Sequence, residues 1–218
     1  MKNLFSVCLV ICITTIGFAQ YGYRDGNRIG ISGGLSQSTL YASNFASKPG
    51  IGYGGGLSVR GNYYNNWSMV YGMQFFINTF SLESTKALQN KDTEFSLSGF
   101  QQRLLLSYNI VKDHVSVDFG PVLQINGKMT VKSDDEKNIL KGTLLQANQI
   151  VDVGNINGNF YLGFSAGSKV VRGIIFYQYG FTNIFGKLNS DDALLILNGN
   201  QKFKGNLGTL GVQIIFNL

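Results

Sequence analysis

The stretch that most constrains this chain is its last one, residues 205–218. Every second position reads Leu210, Val212, Ile214, Phe216 and Leu218, with Gly211, Gln213, Ile215 and Asn217 between them. Side chains of a strand alternate between two faces, so this is a strand with one oily side. A strand left at the end of a sheet offers an unpaired edge, and pairing it with the first strand removes that edge by closing a barrel.

The same alternation recurs upstream. It predicts strands over 28–36, 51–63, 67–80, 95–109, 115–126, 159–170, 174–183 and 205–218. Their outward sets are apolar or aromatic: Trp67, Met69, Tyr71, Met73, Phe75 and Ile77 in the third, Ile175, Tyr177, Tyr179 and Phe181 in the seventh. The opposite sets are small or polar, with Phe76, Phe80 and Leu105 as exceptions. Pro121 cannot donate a ladder hydrogen bond, which predicts a bulge or local break there. Asn65-Asn66, Lys112-Asp113-His114 and Val171-Arg172-Gly173 read as tight turns. Between them lie longer connections, 82–94 with its many charges and 127–158 the longest; within the latter, 141–153 reads as a hairpin or a short helix. Long and short connections alternate without exception if both termini lie on the short-turn side, the arrangement of outer-membrane barrels.

Composition agrees. The chain is 44% hydrophobic and 13% aromatic with 28 glycines, and only 14% of residues are charged, against about 25% in soluble domains. No run after the first twenty residues reaches the ~18 apolar residues of a spanning helix. Lys2, the apolar run 4–16, and small Gly17 and Ala19 before Gln20 predict a cleaved secretory signal peptide over 1–19. Residues 20–218 then form the barrel domain. Cys8 and Cys12 fall inside the signal, and Val7 and Ile11 before them do not suit a lipid-anchor signal, so the mature chain is expected to hold no thiol, disulfide or cysteine metal ligand. The fold class read from these features is all-β, an eight-stranded antiparallel up-and-down transmembrane barrel in the cell outer membrane.

Three segments also resemble a known family. Gln101-Gln102-Arg103-Leu104-Leu105-Leu106-Ser107-Tyr108 is similar to the Ile-Pro-Leu-Leu-Leu-Lys-Tyr strand of PorT-like outer-membrane β-barrel proteins of Bacteroidetes. Asp118-Phe119-Gly120-Pro121 resembles that family's following Gly-Pro strand, and Tyr177-Gln178-Tyr179-Gly180-Phe181-Thr182-Asn183-Ile184 its Tyr-x-x-Gly-Leu-x-Asn-Ile strand. The resemblance implies an eight-stranded outer-membrane barrel with an accessory role in protein secretion and gliding, and carries over no catalytic residue.

An eight-stranded barrel has an interior that side chains fill, which disfavours a diffusion pore. The inward set predicts a structural polar network of Arg60, Arg103, Asp118, Gln74 and Gln101. A hairpin about Lys112 places Arg103 diagonal to Asp118, and predicts that these two pair and plug the lumen. Tyr63, Tyr64, Trp67 and Tyr108 cluster by the short turns as a periplasmic aromatic girdle. His114, the single histidine, reads as a surface turn residue with no serine–acid pair near it. Glycines of the 50–56 stretch precede no helix, so they make room in a crowded lumen and bind no phosphate. The acidic clusters at 134–136 and 191–192 fit no Ca²⁺ loop. The net charge of +6 is spread through mixed loops, without the basic, aromatic pattern of a nucleic-acid surface. The expectation is a monomeric, non-enzymatic barrel with no cofactor or metal, in outer-membrane lipid, whose long loops meet envelope or secretion proteins. Two alternatives remain open: an outer-membrane lipid-modifying enzyme, and a soluble secreted lipocalin-like barrel holding a ligand inside.

Overall fold

The computed structural model describes residues 27–87 and 89–218. The predicted signal peptide and most of the lead-in after it lie outside the described residues. Nine strands are described: β1 Arg28–Ala42, β2 Ser47–Tyr64, β3 Trp67–Lys86, β4 Gln89–Val111, β5 Val115–Val131, β6 Ile139–Leu140, β7 Ile156–Gly167, β8 Val171–Gly180 and β9 Gly205–Asn217. A short helix α1, Asp192–Leu197, precedes β9, and 3-10 turns occupy Ser133–Asp135, Ala147–Ile150 and Gly186–Ser190.

Eight of these strands form a closed antiparallel ring. Each pairs with the next in sequence, β5 passes over β6 to β7, and β1 pairs with β9 from Gly30↔Asn217 to Ala42↔Gly205. The two-residue β6 lies outside the ring and adds to the far end of β3 through Ser84↔Leu140. The all-β, eight-stranded up-and-down barrel is therefore the observed fold, and the ring leaves no free edge at the C-terminal strand. Neighbouring strands approach closely where glycines face the interior: a Cβ at Gly34 would lie 2.0 Å from the Val212 carbonyl oxygen, and one at Gly56 2.0 Å from that of Met73.

Tight turns close one end. Asn65 (φ 48°) and Asp113 (φ 64°) take the left-handed conformation there, which Asn and Asp tolerate better than other non-glycine residues. Both described chain ends lie at this end. The third tight turn differs from expectation. It spans 168–170, where the Ser168 hydroxyl accepts from the backbone N–H groups of Val170 and Val171. Val171-Arg172-Gly173 already belongs to β8, and Arg172 points into the barrel.

At the opposite end the strands run further than alternation alone suggested. The charged segment 82–94 is a continuation of the β3–β4 hairpin, paired as far as Lys86↔Gln89. Two long segments remain, between β5 and β7 and between β8 and β9. In the first, Leu140 N–H donates to the Leu145 carbonyl at 2.9 Å and Ile139 bridges Gln146, so 139–146 make a minimal hairpin before the 3-10 turn. At Pro121 the β4–β5 ladder is interrupted opposite Leu104 and Leu105, yet Arg103↔Val122 and Leu106↔Phe119 keep one register. The break is local, without a bulge. Gly120 permits the close approach: a Cβ would sit 2.3 Å from the Leu104 carbonyl oxygen.

The interior divides by height. Towards the long-loop end, Phe80, Leu82, Phe95 and Leu97 from β3 and β4 pack with Leu140, Leu145 and Ile150 from the first long segment, and with Phe185, Leu188 and Phe203 from the second. These loops fold inward as a cap over an apolar core. Below it the lumen is polar, with a smaller apolar cluster of Val70, Leu105, Val122, Tyr161, Ile174, Phe176 and Ile215 set within it.

Candidate functional site

The period-2 rule that makes each strand also sorts its side chains between two solvents. Ile31, Leu57, Met73, Leu104, Leu123, Leu162, Ile175 and Val212, one from each ring strand, all stand on the exterior and are at least two-fifths exposed. Between Ile29 and Tyr41 the exterior of β1 rises about 30 Å, taking ~3.3 Å per residue and a strand tilt of ~40°. Tyr63, Tyr64, Trp67 and Tyr108 stand exposed beside the short turns as predicted, with Trp67 edge-on to Tyr108 at 5.1 Å between ring centroids. A second aromatic set, unanticipated from sequence, lies higher: Tyr41 and Tyr179 at 6.2 Å, with Tyr177 hydrogen-bonded to Tyr41. Its members come from β1 and β8, which only the closed ring brings together through β9.

All five residues of the predicted network face the lumen, but their partners differ. Arg103 does not pair with Asp118. The register places Arg103 opposite Val122 and Asp118 opposite Ser107, so the two are four residues apart along the wall, about 13 Å at ~3.3 Å per residue. Asp118 instead takes a two-point contact from Arg60, whose Nη2 donates to Oδ2 at 3.0 Å and to Oδ1 at 3.2 Å across the lumen from β2. Arg60 also donates to Ser107. Beside this pair, Arg172 donates to Ser165 at 2.9 Å, to Ser116 at 3.3 Å and to the Asp113 carbonyl oxygen at 3.0 Å. Arg172 was missed because its tripeptide read as a turn; the alternation of Arg172, Ile174, Phe176 and Gln178 opposite Ile175, Tyr177 and Tyr179 was the available signal.

The ionic layer continues into the turn beneath. Arg28 donates to Asp113 at 2.6 Å and Lys169 approaches it at 3.4 Å. Burial pushes the Asp113 carboxyl up, but the hydrogen bond and charge of Arg28, with Lys169, outweigh it and hold the group below the ordinary carboxylate range. His114 is exposed in the same turn, its Nδ1 2.9 Å from the Gly167 carbonyl oxygen.

Above the apolar cluster, amides link the walls. Gln213 donates to Gln74 at 3.0 Å, Arg103 to Gln213 at 3.3 Å and to Gln101 at 3.2 Å, and Gln101 to Gln124 at 2.9 Å. The Arg103 guanidinium lies over the Tyr161 and Phe176 rings, 5.1 and 5.0 Å from their centroids. The loop acids have structural work. Asp191 caps α1 by accepting from the N–H groups of Ala193 and Leu194. Asp135 accepts from Lys91 and Asn138, and the Lys91 hydrogen bond keeps its carboxyl low against the opposing effect of burial.

No family model matches the chain, and no curated protein sequence does. Solved structures are similar to it at low identity and with TM-scores below 0.5. Neisserial surface protein A is 16% identical, with a TM-score of 0.49 over 88% of this chain and 99% of that one. The attachment invasion locus protein Ail of Yersinia pestis is 11% identical, at 0.42 over 88% and 99%. The outer membrane protein OprG from Pseudomonas aeruginosa is 12% identical, at 0.44 over 90% and 98%.

Proposed function

We propose that this chain is an integral outer-membrane barrel of structural or accessory role, without catalytic activity, that presents its folded cap outside the cell. The belt of apolar side chains around the whole ring carries this reading. Water gives such a surface no partner, and a monomeric soluble protein rarely exposes a patch of more than a few hundred Å². Its height of about 30 Å matches the hydrocarbon layer, and the two aromatic sets sit where interfacial girdles belong. The interior supports the same reading against a lipocalin-like barrel, because charged and amide side chains fill the space that an apolar ligand would need.

Unboiled protein from isolated outer membranes is expected to run as a compact band on a denaturing gel and to slow on boiling. Val212→Arg, at mid-height of β9, is expected to cost about 2–4 kcal/mol in a bilayer and to reduce the compact band markedly. Recovery of the wild-type protein in the soluble fraction with no heat shift would overturn the membrane reading.

A narrower role, accessory to protein secretion, is supported by the PorT-like segments alone. The partner would be an envelope or secretion-system protein meeting the cap. Deletion is then expected to change the profile of exported proteins, and an unchanged profile would remove this part of the proposal.

A further inference from the structure

We infer that the middle of the lumen is a binding site for one small inorganic anion of the halide class, held by the Arg103 guanidinium. The inference stands on the lumen alone and holds whether or not the exterior faces lipid.

Charge comes first. Among the described residues, the lower and middle lumen and its floor hold four guanidiniums, Arg28, Arg60, Arg103 and Arg172, against two carboxylates, Asp113 and Asp118. Arg28 takes Asp113 and Arg60 takes Asp118. Arg103 is 6% exposed, and its hydrogen bonds go to neutral Gln101 and Gln213. The Tyr161 and Phe176 rings attract it through their quadrupoles, but a quadrupole brings no net charge. A buried charge is normally paired, and this one lies about 13 Å along the wall from the nearer carboxylate.

Space and donors come second. Arg103 lines a cavity of about 20 Å³ together with Gln74, Gln178, Thr209 and Gln213. That exceeds the ~10–15 Å³ needed for one water and suits a single ion of similar size. Arg103 Nε has no hydrogen-bond partner among the described residues. Among the described residues Gln178 Oε1 is also unpartnered, while its NH₂ group donates to Gln124 at 3.4 Å. A water would satisfy both atoms, yet would leave the cationic charge without a counterion.

The test uses the folded full-length barrel and the sodium salts of chloride and gluconate at one ionic strength. Chloride is expected to raise the midpoint of the boiling transition by about 5 °C and to saturate, as a ligand specific to the folded state does. Arg103→Met, similar in volume and uncharged, is expected to abolish the difference between salts. Arg103→Lys is expected to keep it, and the wild-type crystal described next decides the matter if the methionine variant fails to fold. A bromide-soaked crystal is expected to show an anomalous peak beside the guanidinium. Equal midpoints in the two salts, a chloride effect that persists in Arg103→Met, or a bromide-soaked cavity with no anomalous peak would each overturn the proposal.

Discussion

Asp118→Ala is expected to abolish the compact, heat-modifiable form of this protein. Asp118 is 2% exposed and, among the described residues, is the one carboxylate in contact with Arg60. Its removal leaves Arg60 desolvated without a counterion, with Arg172 donating to the same Ser116 hydroxyl. Breaking a buried pair in this way costs about 3–5 kcal/mol, a large fraction of the stability of a small domain. The cost arises from the stranded charge, and this separates it from lost packing. Arg60→Met in the Asp118→Leu background removes both charges at similar volume and is expected to restore the compact band. Normal folding of Asp118→Ala would show that the pair is dispensable, and failure of the double variant to restore the band would show that the cost is not the stranded charge.

Phe185→Ala should cost a comparable amount but act in a different place. The Phe185 ring is fully buried, edge-on to Phe45 at 5.9 Å and against Gly205 at the start of β9. A buried Phe→Ala change costs about 3–5 kcal/mol. The ring strands beneath keep their ladders, so the loss is expected to open the cap locally. The heat-modifiable band should persist, while limited proteolysis cuts within 132–155 and 181–204 of the folded protein. Resistance of those segments in the variant, equal to wild type, would show that the cap is held by other contacts.

What could be read from sequence follows from what period-2 alternation encodes. Trp67, Met69, Tyr71, Met73 and Phe75 announce their face because a strand side chain has two directions to choose from. Phe76 and Phe80 stood out as exceptions, and the structure explains them: they face inward, where β3 rises into the cap core. The rest of that core was illegible because Leu145, Leu188 and Phe203 sit in irregular segments without a period. The partner of Asp118 was also beyond alternation, which says that Arg60 and Arg103 both point inward but not which height each occupies. Register decides that, and the positions of the β4–β5 irregularities near Ser98 and Ile110 fix the register. The segment 82–94 was misread for a related reason. Its outward charges, Glu83, Asp92 and Glu94, suggest a solvated loop, while its inward residues Leu82, Ser84 and Thr93 are buried and keep the strand going.

The seam between β1 and β9 governs how the chain must assemble. Gly30 pairs with Asn217 and the Leu218 N–H donates to the Ile29 carbonyl oxygen at 2.8 Å, so closure joins the two ends of the described sequence. Every other wall contact between ring neighbours spans a hairpin or one long segment. The entropy of loop closure rises with the length enclosed, and contacts of high sequence separation slow folding. The hairpins can therefore form early, while the cylinder is completed by the one contact that waits for all the others. Until then two bare strand edges and an oily wall are open to other chains, and successful biogenesis is a race between that last zipper and aggregation.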